Sequence, residues 1–469
     1  MNILHLSAEC YPIAKVGGLA DVVGALPKYQ QRAGHAARCI MPFYQNHYTE
    51  THAFEPVFTG EIALGEESYP FSLLRPQDEN LEIEVLLVQI PGLLSTDHVY
   101  SSDDAKRFLA FSLAALTWII QQATPPDVVH CHDHHTGLVP FLMSHSLPFA
   151  RLKNTPSVLT IHNAQYRGEF SWDRRHWLPE FPPERAGLLD WDGQINPLAA
   201  AIKCAWAVTT VSPGYLEEMK QQARGLEHLI RHEQAKCRGI LNGIDFEVWD
   251  PETDPYLPTN YRSATVHAGK KANKEWLCEQ FQIDGTLPLF VFIGRLVYEK
   301  GADVLAEALA ETLPAQNFSV LLLGSGEPHL EARLTALKDR FPGHCGAYIG
   351  YNEELAHRLY AGGDFLLMPS RVEPCGLNQM YALRYGTLPI VRSVGGLKDT
   401  VVSIAEAGGF GIRHAECSVS DIATAIAQAR SLWSDPRRMK KLVRRTMARD
   451  NSWEHSTKQY LQLYSSYIP

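Results

Sequence analysis

Two loops of this 469-residue chain join glycine to a cationic side chain directly after an apolar run, a combination suited to holding a phosphate. Met1-Asn2-Ile3-Leu4-His5-Leu6 leads to Lys15-Val16-Gly17-Gly18-Leu19, and Pro288-Leu289-Phe290-Val291-Phe292-Ile293-Gly294 leads to Arg295 and Lys300-Gly301. Glycine lets backbone N–H groups approach an anion, a following helix N-terminus adds positive partial charge, and Lys or Arg neutralises the remainder. One such loop alone is more often an ordinary turn. A pair of them suits a phosphorylated donor held between two α/β lobes. A third segment supplies a carboxylate. After the apolar run Phe365-Leu366-Leu367-Met368 comes Pro369-Ser370-Arg371-Val372-Glu373-Pro374-Cys375-Gly376-Leu377, which places Glu373 at the carboxyl edge of a sheet, beside a helix N-terminus. Val394-Gly395-Gly396-Leu397 is a further strand exit whose glycines could lie against a substrate, although such a turn is more often only a turn.

These loops need strands and crossover helices to aim them. Short β-branched and aliphatic runs alternate with helix-length amphipathic segments, the pattern of parallel sheets. Strands are expected at 2–6, 37–41, 82–89, 127–131, 157–161 and 207–211, and a second series at 289–293, 319–323, 346–349, 365–368 and 388–391. The length calls for two domains, and Pro251, Pro255 and Pro258 break regular structure just after a hinge near Asp245. The expected divisions are 1–245 and 246–452, with a helix at 453–469 that packs across both domains. The apolar stretch 108–120 is too short to span a bilayer and reads as a buried helix. With 43 Lys and Arg against 52 Asp and Glu, a net charge of -9 excludes a broad basic face for nucleic acid or anionic lipid. Nine scattered cysteines and the lack of a signal-peptide pattern are expected of a reduced, cytoplasmic protein.

Lys15-Val16-Gly17-Gly18-Leu19-Ala20-Asp21-Val22, His132-Asp133 with Thr136-Gly137-Leu138, Thr160-Ile161-His162-Asn163, Leu241-Asn242-Gly243-Ile244-Asp245, Gly294-Arg295 with Lys300-Gly301, and 370–377 occur in that order. In this the chain resembles the glycogen and starch synthase family essentially end to end. The resemblance implies a GT-B fold of two Rossmann-like domains with a cleft between them, and a C-terminal helix returning to the first. ADP-glucose would bind mainly to the C-terminal lobe, and an α-1,4-glucan would approach from the N-terminal lobe and gain one glucosyl unit. No cofactor or metal is implied. By the same resemblance, Lys15 touches the donor, and Gly17, Gly18 and Asp21 belong to its loop. Arg295 and Lys300 meet the departing diphosphate, while Glu373 holds sugar hydroxyls and faces positive charge at the anomeric carbon. His162 and Asp133 line the sugar site, Asn242 is a further polar group there, and Cys375, Gly376 and Leu377 meet the sugar through their backbone. Tyr351 is placed to stack on adenine, with a packed core tyrosine as the competing role. Retention of configuration is implied, a diphosphate oxygen assisting deprotonation of the acceptor.

The chemistry agrees: breaking a bond to a nucleoside diphosphate is eased when fixed cations meet the leaving charge and a carboxylate meets the oxocarbenium-like carbon. A retaining glycosidase would need a second carboxylate beside Glu373, and none is evident. Where the family often has Trp after His-Asp, this chain has His134 and His135, and Tyr381 stands where related transferases carry a second Glu. Other readings are weaker. His130, His132, Asp133, His134 and His135 resemble metal ligands, but no distant motif completes such a site. Leu323-Gly324-Ser325-Gly326 is a partial dinucleotide fingerprint with His329 in place of its third glycine. Tyr166, Trp172, Trp177 and Trp191 could offer stacking platforms to an oligosaccharide, or pack beneath their own loop. A glucan-binding protein without activity and a transferase using UDP-glucose remain as alternatives.

Overall fold

The computed structural model describes residues 1–102, 104–315 and 317–468. Pro469, the end of the expected terminal segment, lies outside them. The chain divides into two compact units, Met1–Asn242 with Trp453–Pro469, and Gly243–Ser452.

The first unit is built on nine strands: β1 (Asn2–Leu6), β2 (Ala36–Pro42), β3 (Phe54–Leu64), β4 (Glu67–Pro76), β5 (Glu84–Gln89), β6 (Val128–His132), β7 (Ser157–Ile161) and, after the short hairpin β8 (Asp190–Trp191) and β9 (Gln194–Ile195), β10 (Ala207–Thr210) and β11 (Cys237–Gly239). Their order in the sheet is β11-β10-β7-β6-β1-β2-β5-β4-β3. All neighbours run parallel except the β3–β4 and β4–β5 pairs. β1 lies between β2 and β6, and the winding reverses there. The apolar stretch at 108–120 falls in the buried helix Asp104–Gln121, and among the described residues no helix is long and apolar enough to cross a membrane. The terminal helix Trp453–Ser465 packs on the helix Gly18–Arg32, sharing a core with Ile3, Val22, Leu26, Val128 and Val158 through Trp453, Tyr460 and Tyr464.

In the second unit β12 (Leu289–Ile293), β13 (Ser319–Gly324), β14 (Cys345–Ile349), β15 (Phe365–Met368), β16 (Leu388–Arg392) and β17 (Ile412–His414) form a parallel sheet in the order β14-β13-β12-β15-β16-β17. This is a doubly wound sheet that reverses between β12 and β15. Ligands of such sheets bind outside the carboxyl ends of the strands at the reversal. The chain enters and leaves this unit side by side, through a bridge between Ile244 and Ser452.

All eleven expected strands are present, with ends displaced by at most two residues. The β3–β4 hairpin, the edge strands β11 and β17 and the β8–β9 hairpin went unread. β3 and β4 intersperse exposed positions among buried and half-buried ones and lack the continuous apolar run of a central strand.

Candidate active site

At the reversal of the second sheet, the exits of β12 and β15 are drawn together. Gly301 has φ +71°, and a Cβ there would lie 2.6 Å from the Pro369 carbonyl oxygen, so glycine permits this approach. Arg371 binds both carboxylate oxygens of Asp303 at 2.7 and 2.9 Å, lies over the Tyr298 ring at 3.6 Å, and donates its backbone N–H to the Glu299 carbonyl. These contacts bring Lys300 Nζ within 2.7 Å of both Oε1 and Oε2 of Glu373. Ser370 Oγ also donates to Oε2, at 2.9 Å. Glu373 is only 6% exposed, and a buried carboxylate gripped by a cation and a hydroxyl is held in one orientation. Arg295 stands on the same loop as Lys300 with its side chain 65% exposed, 3.7 Å from Glu299. The second cation is therefore presented outward and does not join the Lys300–Glu373 pair.

The turn after Glu373 is fixed from beneath. A Cβ on Gly395 would stand 2.1 Å from the Glu373 carbonyl oxygen, and one on Gly396 2.2 Å from that of Cys375. These two glycines are thus required by protein packing, and the backbone N–H of Gly396 donates to Glu373 O at 3.1 Å. Gln379 donates from Nε2 to the carbonyls of Cys375 and Gly376 and to Thr400 Oγ1, each at 3.0 Å. Cys375 is buried, and Leu377 begins the helix Asn378–Tyr385 without a side-chain cap. Ser370, Asp303, Arg371 and Gln379 were not singled out from sequence. Ser370 and Arg371 lie inside the quoted motif, whereas Gln379 carries no local signal. Tyr351 is 75% exposed and donates to Glu353 at 3.0 Å, which removes the packed-core reading of that residue. The fingerprint-like glycines also answer to packing, since a Cβ on Gly324 would stand 1.9 Å from Gly294 O.

The first sheet repeats the arrangement with different chemistry. After β1, the buried carboxylate of Glu9 accepts the backbone N–H groups of Val16 (2.5 Å) and Gly17 (3.0 Å) and the Tyr100 hydroxyl. Burial raises its pKa, these hydrogen bonds opposing the rise. Glu9, unread from sequence, thus shapes the Lys15 loop. Lys15 itself pairs with Asp21 at 2.7 Å. A Cβ at Gly17 or Gly18 would meet no atom within 4 Å, so packing of this unit does not demand glycine at either position.

After β6, Asp133 adopts φ +56°, ψ −173°, a strained conformation for a residue other than glycine. Its Oδ1 accepts the backbone N–H of His162 at 2.7 Å and of Asn163 at 3.3 Å. The structure therefore brings Asp133 and His162 together through the backbone. Burial pushes the Asp133 pKa up to about 7 against the pull of those two N–H groups. Asn242 ends this unit, its buried Oδ1 without a hydrogen-bond partner among the described residues.

No distant motif in the sequence marks a partner for His130 and His132, but strand pairing places one beside them. β1 pairs with β6 so that His5 lies opposite His130, and ligand atoms of His5, His130 and His132 fall within 4.8 Å of one another. Yet both nitrogens of each ring are engaged in hydrogen bonds. A cation there would have to break several of them. Of the aromatic platforms, Trp172 donates to Asp190 and Trp191 to the Gly225 carbonyl, while Arg174 covers the Trp177 ring. Tyr166 alone of the four is largely exposed.

Residues 2–232 match the family model described as "Starch synthase catalytic domain", and residues 273–446 match "Glycosyl transferases group 1". The chain is 49% identical to a glycogen synthase of Flavobacterium johnsoniae, covering 100% of this chain and 99% of that relative. It is 39% identical to a glycogen synthase of Myxococcus xanthus over 100% of both. Among solved structures, the catalytic domain of starch synthase IV from Arabidopsis thaliana, bound to ADP and acarbose, superposes with a TM-score of 0.90 at 31% identity, covering 100% of this chain and 99% of that one.

Proposed function

The chain belongs to the glycogen and starch synthase family and is a glycosyltransferase of GT-B fold, and from that premise we propose that it moves glucose from ADP-glucose to the non-reducing end of an α-1,4-glucan, with retention and without a metal. The observation that supports this best is Lys300 held 2.7 Å from both oxygens of Glu373 at the reversal of the second sheet, with Arg295 on the same loop. In this reading Arg295 and Lys300 take up the negative charge that grows on ADP as the glycosidic bond breaks. Glu373 faces the positive anomeric carbon and holds sugar hydroxyls. Tyr351, exposed beside its strand exit, stacks on adenine, and the backbone of Cys375, Gly376 and Leu377 meets the glucosyl unit. Lys15, Gly17, Gly18 and Asp21 bind the donor from the first unit, and His162, Asp133 and Asn242 serve the sugar. The ADP and acarbose of the Arabidopsis relative are ligands of the same two classes. The work is assigned to the cytoplasm, where the nine cysteines, all free in the structure, stay reduced.

The test is a side-by-side assay of ADP-glucose and UDP-glucose with a maltooligosaccharide, following nucleotide release, chain lengthening and the anomeric configuration of the new linkage. Faster transfer from ADP-glucose, an α linkage and indifference to EDTA are expected. A preference for UDP-glucose, or glucan binding without ADP release, contradicts the proposal.

A further inference from the structure

A single hydrogen-bonded chain runs from the C-terminal helix to His162, wholly inside the first unit. His162 Nε2 meets His132 Nδ1 at 3.0 Å, and His132 Nε2 meets His5 Nδ1 at 3.0 Å. His5 Nε2 meets Gln30 Oε1 at 2.8 Å, and Gln30 Nε2 donates to the Tyr464 hydroxyl at 3.3 Å. On its far side Tyr464 meets His130 Nδ1 at 2.7 Å, and His130 Nε2 meets Thr160 Oγ1 at 2.6 Å. Thr160 then meets Thr209 Oγ1 at 2.6 Å, and Thr209 donates to the Leu159 carbonyl at 3.4 Å. Tyr464, Gln30, His5, His130 and His132 are fully buried.

This chain has a direction. A carbonyl only accepts, so Thr209 spends its proton on Leu159, Thr160 donates to Thr209, and His130 donates from Nε2 to Thr160. The bare Nδ1 of His130 then takes the Tyr464 proton, and the Tyr464 oxygen takes an N–H from Gln30, which turns the amide oxygen of Gln30 toward His5. A neutral imidazole has one donor and one acceptor nitrogen. Burial holds His5 neutral, its pKa pushed down to about 4, and holds His162 neutral, pushed down to about 3. His132 is lowered for the same reason. His5 must therefore donate from Nε2 to Gln30 and accept at Nδ1; His132 must donate from Nε2 and accept at Nδ1; His162 must donate from Nε2. Nothing among the described residues hydrogen-bonds His162 Nδ1, and the side chain is only half-buried.

We propose that Tyr464, Gln30, His5 and His132 are positioning residues that lock His162 in the tautomer protonated on Nε2, so that its Nδ1 faces the sugar as an acceptor and selects a hydroxyl donor there. The role assigned to Nδ1 rests on the reading of His162 as a sugar-facing group. A tyrosine of the last helix, more than 300 positions away in sequence, thereby sets which hydrogen bond the site can make. The alternative use of the same rings, a cation between His5, His130 and His132, would need the nitrogens that this chain already employs.

The test reads the tautomer without substrate. In the full-length protein labelled with 15N-histidine, the two His162 nitrogens, assigned by their loss in His162→Gln, are expected to show a protonated Nε2 and a bare Nδ1. Gln30→Met removes the acceptor facing His5 and should give mixed His162 tautomers with kcat/KM about tenfold lower, the worth of one hydrogen bond. Tyr464→Phe frees the Gln30 amide to turn and should mix the tautomers partly, with a loss of about threefold. A wild-type His162 protonated on Nδ1 overturns the proposal, and so does Gln30→Met with the tautomer unchanged, whether or not activity falls. Because the tautomer is read without donor or glucan, failure of the transfer reading would appear separately.

Discussion

Both units set a carboxylate at the carboxyl end of the strand across the reversal from their glycine loop: Asp133 after β6, Glu373 after β15. Topology makes these positions equivalent, and the neighbours make them chemically different. Glu373 is held by the ammonium of Lys300 and the hydroxyl of Ser370, with Arg295 nearby on the loop. Asp133 is held by two backbone N–H groups, and the groups packed beyond it are imidazoles that burial keeps neutral. In the proposed reading, the second sheet is equipped to manage charge that appears during the transfer. The first is equipped to offer fixed, neutral hydrogen bonds. A doubly wound sheet thus fixes where a polar residue stands, and the side chains around it decide what that residue can do.

The contrast breaks most visibly, or holds, when each carboxylate becomes an amide. Glu373→Gln keeps the size and loses the charge, so kcat for glucosyl transfer should fall by about a thousandfold, the scale of losing a group aimed at transition-state charge. Asp133→Asn keeps an oxygen that accepts from His162 N and should cost less than about tenfold. Equal losses in a steady-state assay of the two variants would erase the distinction. A smaller effect sharpens it: Asp133→Ala leaves the N–H groups of His162 and Asn163 without their acceptor, and denaturant titration should show it less stable than Asp133→Asn by about 1–2 kcal/mol.

Acid separates the units further. His5 and His162 titrate near 4 and 3 in the folded chain against an ordinary 6.5, with His130 and His132 lowered too. The folded state therefore binds fewer protons than the unfolded one between those values. The stability from keeping these rings neutral is complete above about pH 6.5 and is lost as pH falls through the folded values. Urea midpoints should drop from pH 6.5 toward pH 4, and less steeply in His5→Gln. Asp133, raised to about 7, opposes this trend over the same range, so flat midpoints in Asp133→Asn would show that the histidines are not held neutral.

Much of this was legible in the sequence, for physical reasons. Central parallel strands are buried on both faces and announce themselves as continuous apolar runs, which is why β1, β12 and β15 were found with their bounds. Glu373 and Lys300 were legible because each follows such a run. Their pairing was not, since it depends on the close approach of Gly301 to Pro369. Glu9 and Gln379 act on backbone groups of other loops and leave no local pattern. The glycines at 395 and 396 gave a clear signal with two readings, a tight turn or a substrate-facing loop, because a glycine demanded by a neighbouring carbonyl looks the same in sequence as one facing a ligand. His5 escaped as a partner of His130 and His132 because strand order, not spacing, makes them neighbours.

The central claim is that cations of the second unit receive the leaving diphosphate. A crystal structure of the protein with ADP tests it most directly. The account expects phosphate oxygens within hydrogen-bonding distance of Arg295 and Lys300, with Lys300 drawn toward the phosphate from Glu373. ADP phosphates seated away from both side chains would contradict it.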